Sequence, residues 1–401
     1  MHKIVSLITL FLIASCNTFS QQEKVPVKTG AEVMIEKHLD ELSDKRVGLV
    51  MNPTARIGEV HVLDSLLALN VNVVALFAPE HGFRGNRGAG EQIKNGIDQE
   101  TGLPVYSLYG KTKRPTEEML AGIDLLIFDM QDVGARFYTY NTTMKYILEA
   151  SAEFDKEVWI LDRPNPIGGD YVSGWVLEEE YKSFVGAYPI PIAHGLTLGE
   201  LANMAVSEGW LDVEEAPDFR IIKSEGWSRS MNWTETGLNW IPPSPNLPTF
   251  EHAFVYLGTC LFEGTTISEG RGTSDPFLTI GDPNTNIELD QLKELSEKYS
   301  VQMDTISFTP ITIPGKASSP KHENLKSHGV SISITEDFND PVGFGLDLME
   351  LMMRNTEGSE YKEFLYLLTG TKRVFENADV NIWGESFEDY LVKREKYLLY
   401  H

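Results

Sequence analysis

The sequence predicts an α/β fold in which a Rossmann-like, doubly wound parallel-sheet domain is followed by a smaller α+β domain. Over roughly the first half of the chain, short apolar stretches alternate with segments whose apolar residues recur at helical spacing. Nearly all-apolar strands that alternate with helices are typical of a parallel sheet covered on both faces. The length of 401 residues is long for one hydrophobic core and favours two domains. We therefore predict a Rossmann-like domain at 31–245 and an α+β domain at 246–401.

The individual elements follow from the same two patterns, read along the chain. In the first domain we predict strands at 46–51, 71–77, 103–108, 123–130, 157–161, 189–193 and 219–223, and helices at 33–42, 60–69, 141–154 and 197–207, with another opening at Thr116. In the second domain we predict helices at 289–299, 345–355 and 387–397, and strands at 307–313 and 329–334. Between the domains, residues 240–248 contain four prolines, which exclude a regular helix or central strand and mark the boundary.

The N-terminus has the features of an export signal. Residues 1–16 combine an early lysine with a short apolar core and end in Ile-Ala-Ser-Cys, a pattern similar to a bacterial lipobox. This predicts that Cys16 is acylated, that 17–30 is a tether, and that the protein is exported to the periplasm or outer membrane and anchored by lipid. An ordinary signal peptide cut nearby, for instance after Ser20, is the alternative. The other cysteine is Cys260, so with Cys16 acylated no disulfide is expected.

The charge balance limits the partners. Lys and Arg number 34 against 59 Asp and Glu, for a formal net charge of -25. A surface this acidic argues against non-specific nucleic-acid binding, which depends on basic patches. An anionic small substrate remains compatible with it, because a few arginines can create a local positive pocket.

Polar clusters follow the predicted strands and recur once in the second domain. The first three clusters begin at Glu80, Asp129 and Asp162, and the fourth, in the second domain, begins at Glu263. Because the carboxyl ends of parallel strands meet at one edge of a sheet, the first three clusters should converge there, and the fourth can close over them. The candidate site residues are Glu80, His81, Arg84, Asp129, Asp132, Arg136, Tyr138, Asp162, Glu263, Glu269 and Arg271.

These residue types suit acid/base chemistry on a sugar acid. Glycosidases use two carboxyl groups about 5 to 9.5 Å apart, and arginine suits a substrate carboxylate. We predict that Glu80 is catalytic, that Asp132 and Glu269 are candidate partners, and that the other candidates bind substrate. Each has a structural alternative: Glu80 can pair with Arg84, the aspartates can order their own turns, and the glutamates of the second domain can cap their glycine-rich loop.

Several motifs are absent from the sequence. It contains no G-x-G-x-x-G after the first strand, no G-x-S-x-G, and no H-E-x-x-H, C-x-x-C or Walker loop. We therefore predict no cofactor and no metal. A carboxylate metal site at Glu80, Asp129 and Asp132 is the alternative.

Long segments in the same order resemble one known family. FAPEHGFRG, TGLPVYSLYG, FDMQDVGARFYTY, LDRPNPIGG, PIPIAHGLTLGELA, WIPPSPNLP and FEGTTISEGRGTSDPF are similar to the exo-β-N-acetylmuramidase family, formerly the domain of unknown function DUF1343. The resemblance runs from about Arg46 to the C-terminus. It implies release of N-acetylmuramic acid (MurNAc) from the non-reducing ends of peptidoglycan fragments. It also implies a Rossmann-like domain, a smaller C-terminal domain and an active-site cleft between them, with Glu80 as catalytic candidate.

The resemblance leaves the partner of Glu80 open among Asp129, Asp132, Glu263 and Glu269. The implied substrates are MurNAc–GlcNAc saccharides, in which MurNAc carries a lactyl carboxylate that N-acetylglucosamine (GlcNAc) lacks. An arginine facing that group would discriminate between the two sugars, and we predict Arg271 or Arg136 for this role. The alternative function is a non-catalytic lipoprotein that binds muropeptides or another sugar acid.

Overall fold

The structure, a computed structural model, describes residues 26–80, 82–84, 95–375 and 383–401. Cys16, the predicted signal segment and most of the predicted tether lie outside these residues. The end of that tether prediction is wrong. Val27 is buried, Lys28 pairs with Glu225 through backbone hydrogen bonds, and Thr29 caps the first helix, so these residues belong to the folded domain.

A seven-stranded sheet forms the first domain, with strand order β5-β6-β4-β1-β7-β8-β9. Its pairings are parallel except for β5, which joins one edge in the antiparallel sense. The strands are β1 (Val47–Met51), β4 (Val73–Ala78), β5 (Gly96–Ile97), β6 (Pro104–Ser107), β7 (Leu125–Asp129), β8 (Glu157–Leu161) and β9 (Phe219–Ile222), and a separate small hairpin contains β2 (Arg56–Ile57) and β3 (Val60–His61).

Helices cover both faces of this sheet, which confirms the doubly wound class. They are α1 (Gly30–Lys37), α2 (Val62–Ala68), α3 (Glu117–Leu120), α4 (Tyr140–Glu153), α5 (Leu198–Ser207) and α6 (Trp233–Thr236). Side chains of α1 and α2 share one apolar core with the sheet, while those of α4 and α5 share the other. The chain runs outward from β1 through β4 and then, in the other direction, through β7. Such a reversal places ligands at the carboxyl edge of the strands.

The second domain contains a three-stranded antiparallel sheet, ordered β10-β12-β11, and further helices. The strands are β10 (Thr279–Asp282), β11 (Val301–Phe308) and β12 (Ser327–Ile334), and the helices are α7 (Phe250–Thr259), α8 (Leu289–Tyr299), α9 (Pro341–Arg354), α10 (Phe364–Thr369) and α11 (Glu385–Arg394). The predicted α+β character is confirmed. In the described part of the chain, no helix combines the length and apolar content needed to cross a membrane.

Two predicted strands are wrong. Residues 189–193 form only isolated bridges, at Ala193, because Pro189 and Pro191 have no N–H to donate to a ladder. The strand predicted at 307–313 ends at Phe308 and begins earlier, at Val301. Its first residues alternate between buried and exposed side chains, as in a sheet with one solvated face, and therefore lack a continuous apolar run.

Candidate active site

A cleft of about 360 Å³ lies where the two domains meet. This volume is in the range of sites for small ligands. The first domain contributes Glu80, Tyr109, Phe137, Tyr138, Thr139, Tyr140, Phe184, Val185, Ser244 and Leu247, and the second contributes Tyr256, Glu263, Arg271, Phe277, residues 316–320 and Phe364. The cleft therefore requires both domains, and its walls combine aromatic side chains with two carboxylates, an arginine and a lysine.

Glu80 reaches the cleft because β4 ends at Ala78 and Pro79 turns the chain outward. Its Oε2 accepts a hydrogen bond of 3.3 Å from the hydroxyl of Thr139, the residue before α4. The hydroxyl of Tyr109 also donates to Glu80, and burial together with the Glu80 charge and this hydrogen bond raises the pKa of Tyr109. Tyr109 therefore stays protonated at neutral pH, and two hydroxyls hold the carboxylate.

In the same cleft, the guanidinium of Arg271 contacts two carboxylates. Its Nη2 donates to Oε1 of Glu263 at 2.7 Å, and its Nε lies 3.5 Å from Oε1 of Glu269. Burial alone would lower the pKa of Arg271, but the charges of Glu263 and Glu269 outweigh burial and raise it. Arg271 is therefore a permanent positive charge in the wall of the cleft.

Two polar atoms of the cleft residues have no internal partner. Nη1 of Arg271 and the hydroxyl of Tyr138 are buried and find no hydrogen-bond partner within the described ranges. The guanidinium also lies over the ring of Phe277, 5.0 Å from its centroid, which fixes its plane. Because buried polar groups are nearly always hydrogen-bonded, these two atoms are available to a polar group bound in the cleft.

The structure brings four of the predicted site residues together in the cleft, namely Glu80, Tyr138, Glu263 and Arg271. Glu269 lies directly behind Arg271 and is nearly fully buried. Burial would raise the pKa of Glu269, but the charges of Lys321 and Arg271 prevail and lower it. Glu269 is therefore ionised at neutral pH and is not suited to donate a proton. His81 lies outside the described residues.

Asp132 does not line the cleft. Its Oδ2 accepts a hydrogen bond of 2.9 Å from the backbone N–H of Gly134 and lies 3.5 Å from Nε2 of His194. The side chain thus orders the turn after β7, which is the structural alternative for this residue. This placement does not support Asp132 as the partner of Glu80.

Arg136 is fully buried and binds backbone carbonyls instead of facing the cleft. Its guanidinium donates to the oxygens of Trp175 at 2.6 Å, Ile190 at 2.8 Å and Leu368 at 2.7 Å. Burial lowers the pKa of Arg136 to about 9, which leaves it charged at neutral pH. The expectation that Arg136 faces a substrate carboxylate is therefore not met, because both of its terminal nitrogens bind backbone carbonyls inside the fold.

Three further candidates have structural partners away from the cleft. Asp129 is paired with Arg163 through Oδ2 to Nη2, at 2.9 Å. Asp162 accepts hydrogen bonds from Thr197, Gly199 and Tyr400. Arg84 forms an ion pair with Asp98, at 3.1 Å. The structure does not bring these three side chains into the wall of the cleft.

Sequence reasoning missed Tyr109, Thr139 and residues 316–320. Tyr109 follows β6 at the same sheet edge as Glu80, so its position at a strand end was an available signal. Thr139 lies two residues before the helix predicted at 141–154. Residues 316–320 come from a loop of the second domain, and nothing in the local pattern indicates that this loop reaches the cleft.

The alternative metal site is not assembled. Asp129 faces Arg163 and Asp132 its own turn, so neither joins Glu80. Within the residues that the structure describes, no three His, Cys, Asp or Glu side chains are grouped so as to hold a metal ion.

Two family profiles and a curated protein match this chain. Residues 47–251 match the family profile "Exo-beta-N-acetylmuramidase NamZ, N-terminal", and residues 254–400 match its C-terminal counterpart. The chain is 40% identical over 408 residues to the peptidoglycan beta-N-acetylmuramidase NamZ of Bacillus subtilis, covering 96% of this chain and 95% of that protein.

Two solved structures share the fold. One crystal structure of a DUF1343 family protein from Bacteroides fragilis has 38% sequence identity and a TM-score of 0.79, over 94% of this chain and 99% of that one. A second protein from the same organism and family has 34% identity and a TM-score of 0.78, over 94% of this chain and 100% of that one.

Proposed function

Because this chain belongs to the NamZ exo-β-N-acetylmuramidase family and is a glycoside hydrolase, we propose that it releases MurNAc from the non-reducing ends of peptidoglycan fragments with Glu80 as a catalytic carboxylate. The observation that carries this proposal is that Glu80 and Arg271 line the same cleft, and that Nη1 of Arg271 has no hydrogen-bond partner within the described residues. The first group suits glycosidic chemistry, and the second suits an acidic sugar.

Glycoside hydrolysis by this route uses two carboxyl groups, which divide the proton-donating and the nucleophilic or base roles. Glu80 and Glu263 are the two carboxylates that line the cleft in the described part of the chain. We therefore propose Glu263 as the partner of Glu80. This choice replaces Asp132, which orders its own turn, and Glu269, which is enclosed by cations.

The acidic sugar is recognised by Arg271 in this proposal. Two of its nitrogens are engaged by Glu263 and Glu269, which leaves Nη1 for the lactyl carboxylate of MurNAc. A GlcNAc residue at the same place would leave Nη1 buried and without a partner. Such a loss costs roughly 1–3 kcal/mol, so the site should prefer MurNAc.

We also propose that the protein is exported and held at the membrane by an acylated Cys16, on the basis of the lipobox-like N-terminal sequence. Expression of the full chain with radiolabelled palmitate tests this proposal. Label should appear in the wild type and be lost in Cys16→Ser. Equal label in both proteins would overturn the assignment.

Incubation with the MurNAc–GlcNAc disaccharide and with its GlcNAc-first counterpart tests the enzymatic proposal. Wild type should release free MurNAc from the first substrate and little product from the second. Glu80→Gln keeps the shape of the side chain and should lose about 10²-fold or more in kcat. Glu350→Gln, at an exposed site in α9, is the matched control and should behave as wild type.

The outcomes separate the functions. No MurNAc from wild type, with tight binding of the disaccharide, would support a binding lipoprotein instead of an enzyme. Full activity in Glu80→Gln would leave the hydrolase standing and remove Glu80 from the site.

A further inference from the structure

Behind the cleft, Arg271 is the second member of a row of alternating charges, Glu263–Arg271–Glu269–Lys321. The separations along it are 2.7 Å from Glu263 to Arg271, 3.5 Å from Arg271 to Glu269, and 2.9 Å from Glu269 to Lys321. The first two members line the cleft, while Glu269 and Lys321 do not. The row therefore connects a residue outside the cleft to the arginine inside it.

Lys321 is anchored independently of the cleft. Its Nζ donates to the backbone oxygens of Phe262, at 2.7 Å, and Ile267, at 2.9 Å, besides facing Glu269. Two of the three ammonium hydrogens therefore bind carbonyls, and the contact with Glu269 is an ion pair. Both carbonyls belong to the segment that carries Glu263 and Glu269, so Lys321 joins its own loop rigidly to that segment.

Glu269 depends on this lysine. It is about 4% exposed, and a buried carboxylate is stable only with a close cationic partner. Lys321 is nearer to it than Arg271 is. If Lys321 were absent, Lys362 would still act on Glu269 through its charge, but Arg271 would be the one remaining ion-pair partner of Glu269 among the described residues. Its guanidinium would be drawn toward Glu269 and away from its present orientation.

We propose that Lys321 is a positioning residue that determines specificity. It fixes Glu269, and Glu269 fixes the plane of Arg271, so that Nη1 is held ready for the carboxylate of an acidic sugar. This inference rests on the proposed function, because it assigns the carboxylate to MurNAc. Lys321 does not touch the sugar or the reacting bond. Its main influence therefore falls on binding of the carboxylate, and a smaller one reaches the chemical step through the ion pair of Arg271 with Glu263.

Steady-state kinetics and inhibition with free sugars test the proposal. In Lys321→Met, KM for MurNAc–GlcNAc should rise about tenfold or more, since a hydrogen bond to a charged group is weakened, and kcat should fall by a smaller factor, because Arg271 also contacts Glu263. The inhibition constant of free MurNAc should rise in parallel, and that of free GlcNAc should stay unchanged. Lys321→Arg keeps the charge and should recover most of the MurNAc affinity.

Two further variants control for the loss of a lysine as such and for the burial of an unpaired carboxylate. Lys298→Met removes an exposed lysine that pairs with Asp347 at 2.7 Å in the same domain, and it should match wild type in every constant. The double variant Lys321→Met with Glu269→Gln removes both charges together and leaves no uncompensated buried carboxylate. If Lys321→Met does not fold, the same constants are measured on this double variant. It should show the same selective loss of MurNAc affinity.

Unchanged KM in folded Lys321→Met or in the double variant would overturn the proposal, and so would an equal rise in the inhibition constants of MurNAc and GlcNAc. Failure of the proposed function has a different signature. In that case wild type itself would release no MurNAc and would bind free MurNAc no better than free GlcNAc.

Discussion

The hydroxyl of Thr139 donates a hydrogen bond of 3.3 Å to Oε2 of Glu80, and it links the loop after β4 to the residue before α4. Tyr109, which follows the neighbouring strand β6, donates to the same carboxylate. Glu80 is therefore held by two hydroxyls, one from the residue before α4 and one from the segment after β6, at the carboxyl edge of the sheet. This arrangement explains how one glutamate in a glycine-rich loop gains a defined orientation.

Removal of the Tyr109 hydroxyl should reduce catalysis without unfolding the protein. In Tyr109→Phe we expect kcat to fall about tenfold or more, because a hydrogen bond to a charged group contributes roughly 1.5–3 kcal/mol, with KM changed less. Tyr299→Phe is the matched control, since Tyr299 also donates to a carboxylate, Asp347, at 2.8 Å, but outside the cleft. An unchanged kcat in Tyr109→Phe would show that the contact does not orient Glu80 for the reaction.

The proposed partner of Glu80 can be tested with two amide substitutions. Glu263→Gln should lower kcat by about 10²-fold or more, as expected when a catalytic carboxyl is lost. Asp132→Asn should keep most of the activity, because an amide oxygen can still accept the hydrogen bond from Gly134. Rates are measured on MurNAc–GlcNAc at saturating substrate. A large loss of kcat in Asp132→Asn, together with little loss in Glu263→Gln, would restore Asp132 as the catalytic candidate.

Arg136 should matter for stability. Arg136→Met removes the donor to three buried carbonyls, two in the first domain and that of Leu368 in the second. We expect the free energy of unfolding in urea to fall by about 3 kcal/mol or more, since each unpaired buried group costs roughly 1–3 kcal/mol. Arg354→Met, at an exposed ion pair, should change stability little. Wild-type stability combined with weakened MurNAc binding would reinstate Arg136 as a substrate ligand.

Glu269 should make stability depend on acid pH. Its folded-state pKa lies below the ordinary value of 4.5, because the charges of Lys321 and Arg271 overcome the effect of burial. A carboxyl with a lowered pKa contributes stability above the unfolded value, and this contribution is lost as pH falls through the folded value. Glu269→Gln should therefore be less stable than wild type at pH 7, and the difference should shrink below about pH 4.5. Urea unfolding across this range measures the difference, and a gap that does not vary with pH would contradict the assignment.

Much of the fold is determined by local sequence pattern. The strands β1, β4, β7 and β8 are apolar runs buried on both faces, and such runs are recognisable without tertiary information. Because these strands are parallel, their carboxyl ends lie at one edge, and this places Glu80, which follows β4, at that edge. Helix α8 begins and ends where its apolar spacing predicts. The alternating strand β11 and the proline-containing segment 189–193 were misjudged because their patterns are weaker.

Within the site, the sequence by itself determined the residue types and Glu80, while the tertiary structure decided which other charges face the cleft. Asp132, Glu263 and Glu269 are indistinguishable in sequence as carboxylates beside turns and glycines. In the fold, Asp132 accepts the N–H of the turn after β7, Glu269 is enclosed by Lys321 and Arg271, and Glu263 remains in the wall of the cleft that Glu80 also lines. The same holds for arginines, since Arg136 binds carbonyls far away along the chain. The role of a charged side chain depends on which partners it contacts once it is buried. Those partners come from segments that only the folded chain brings together.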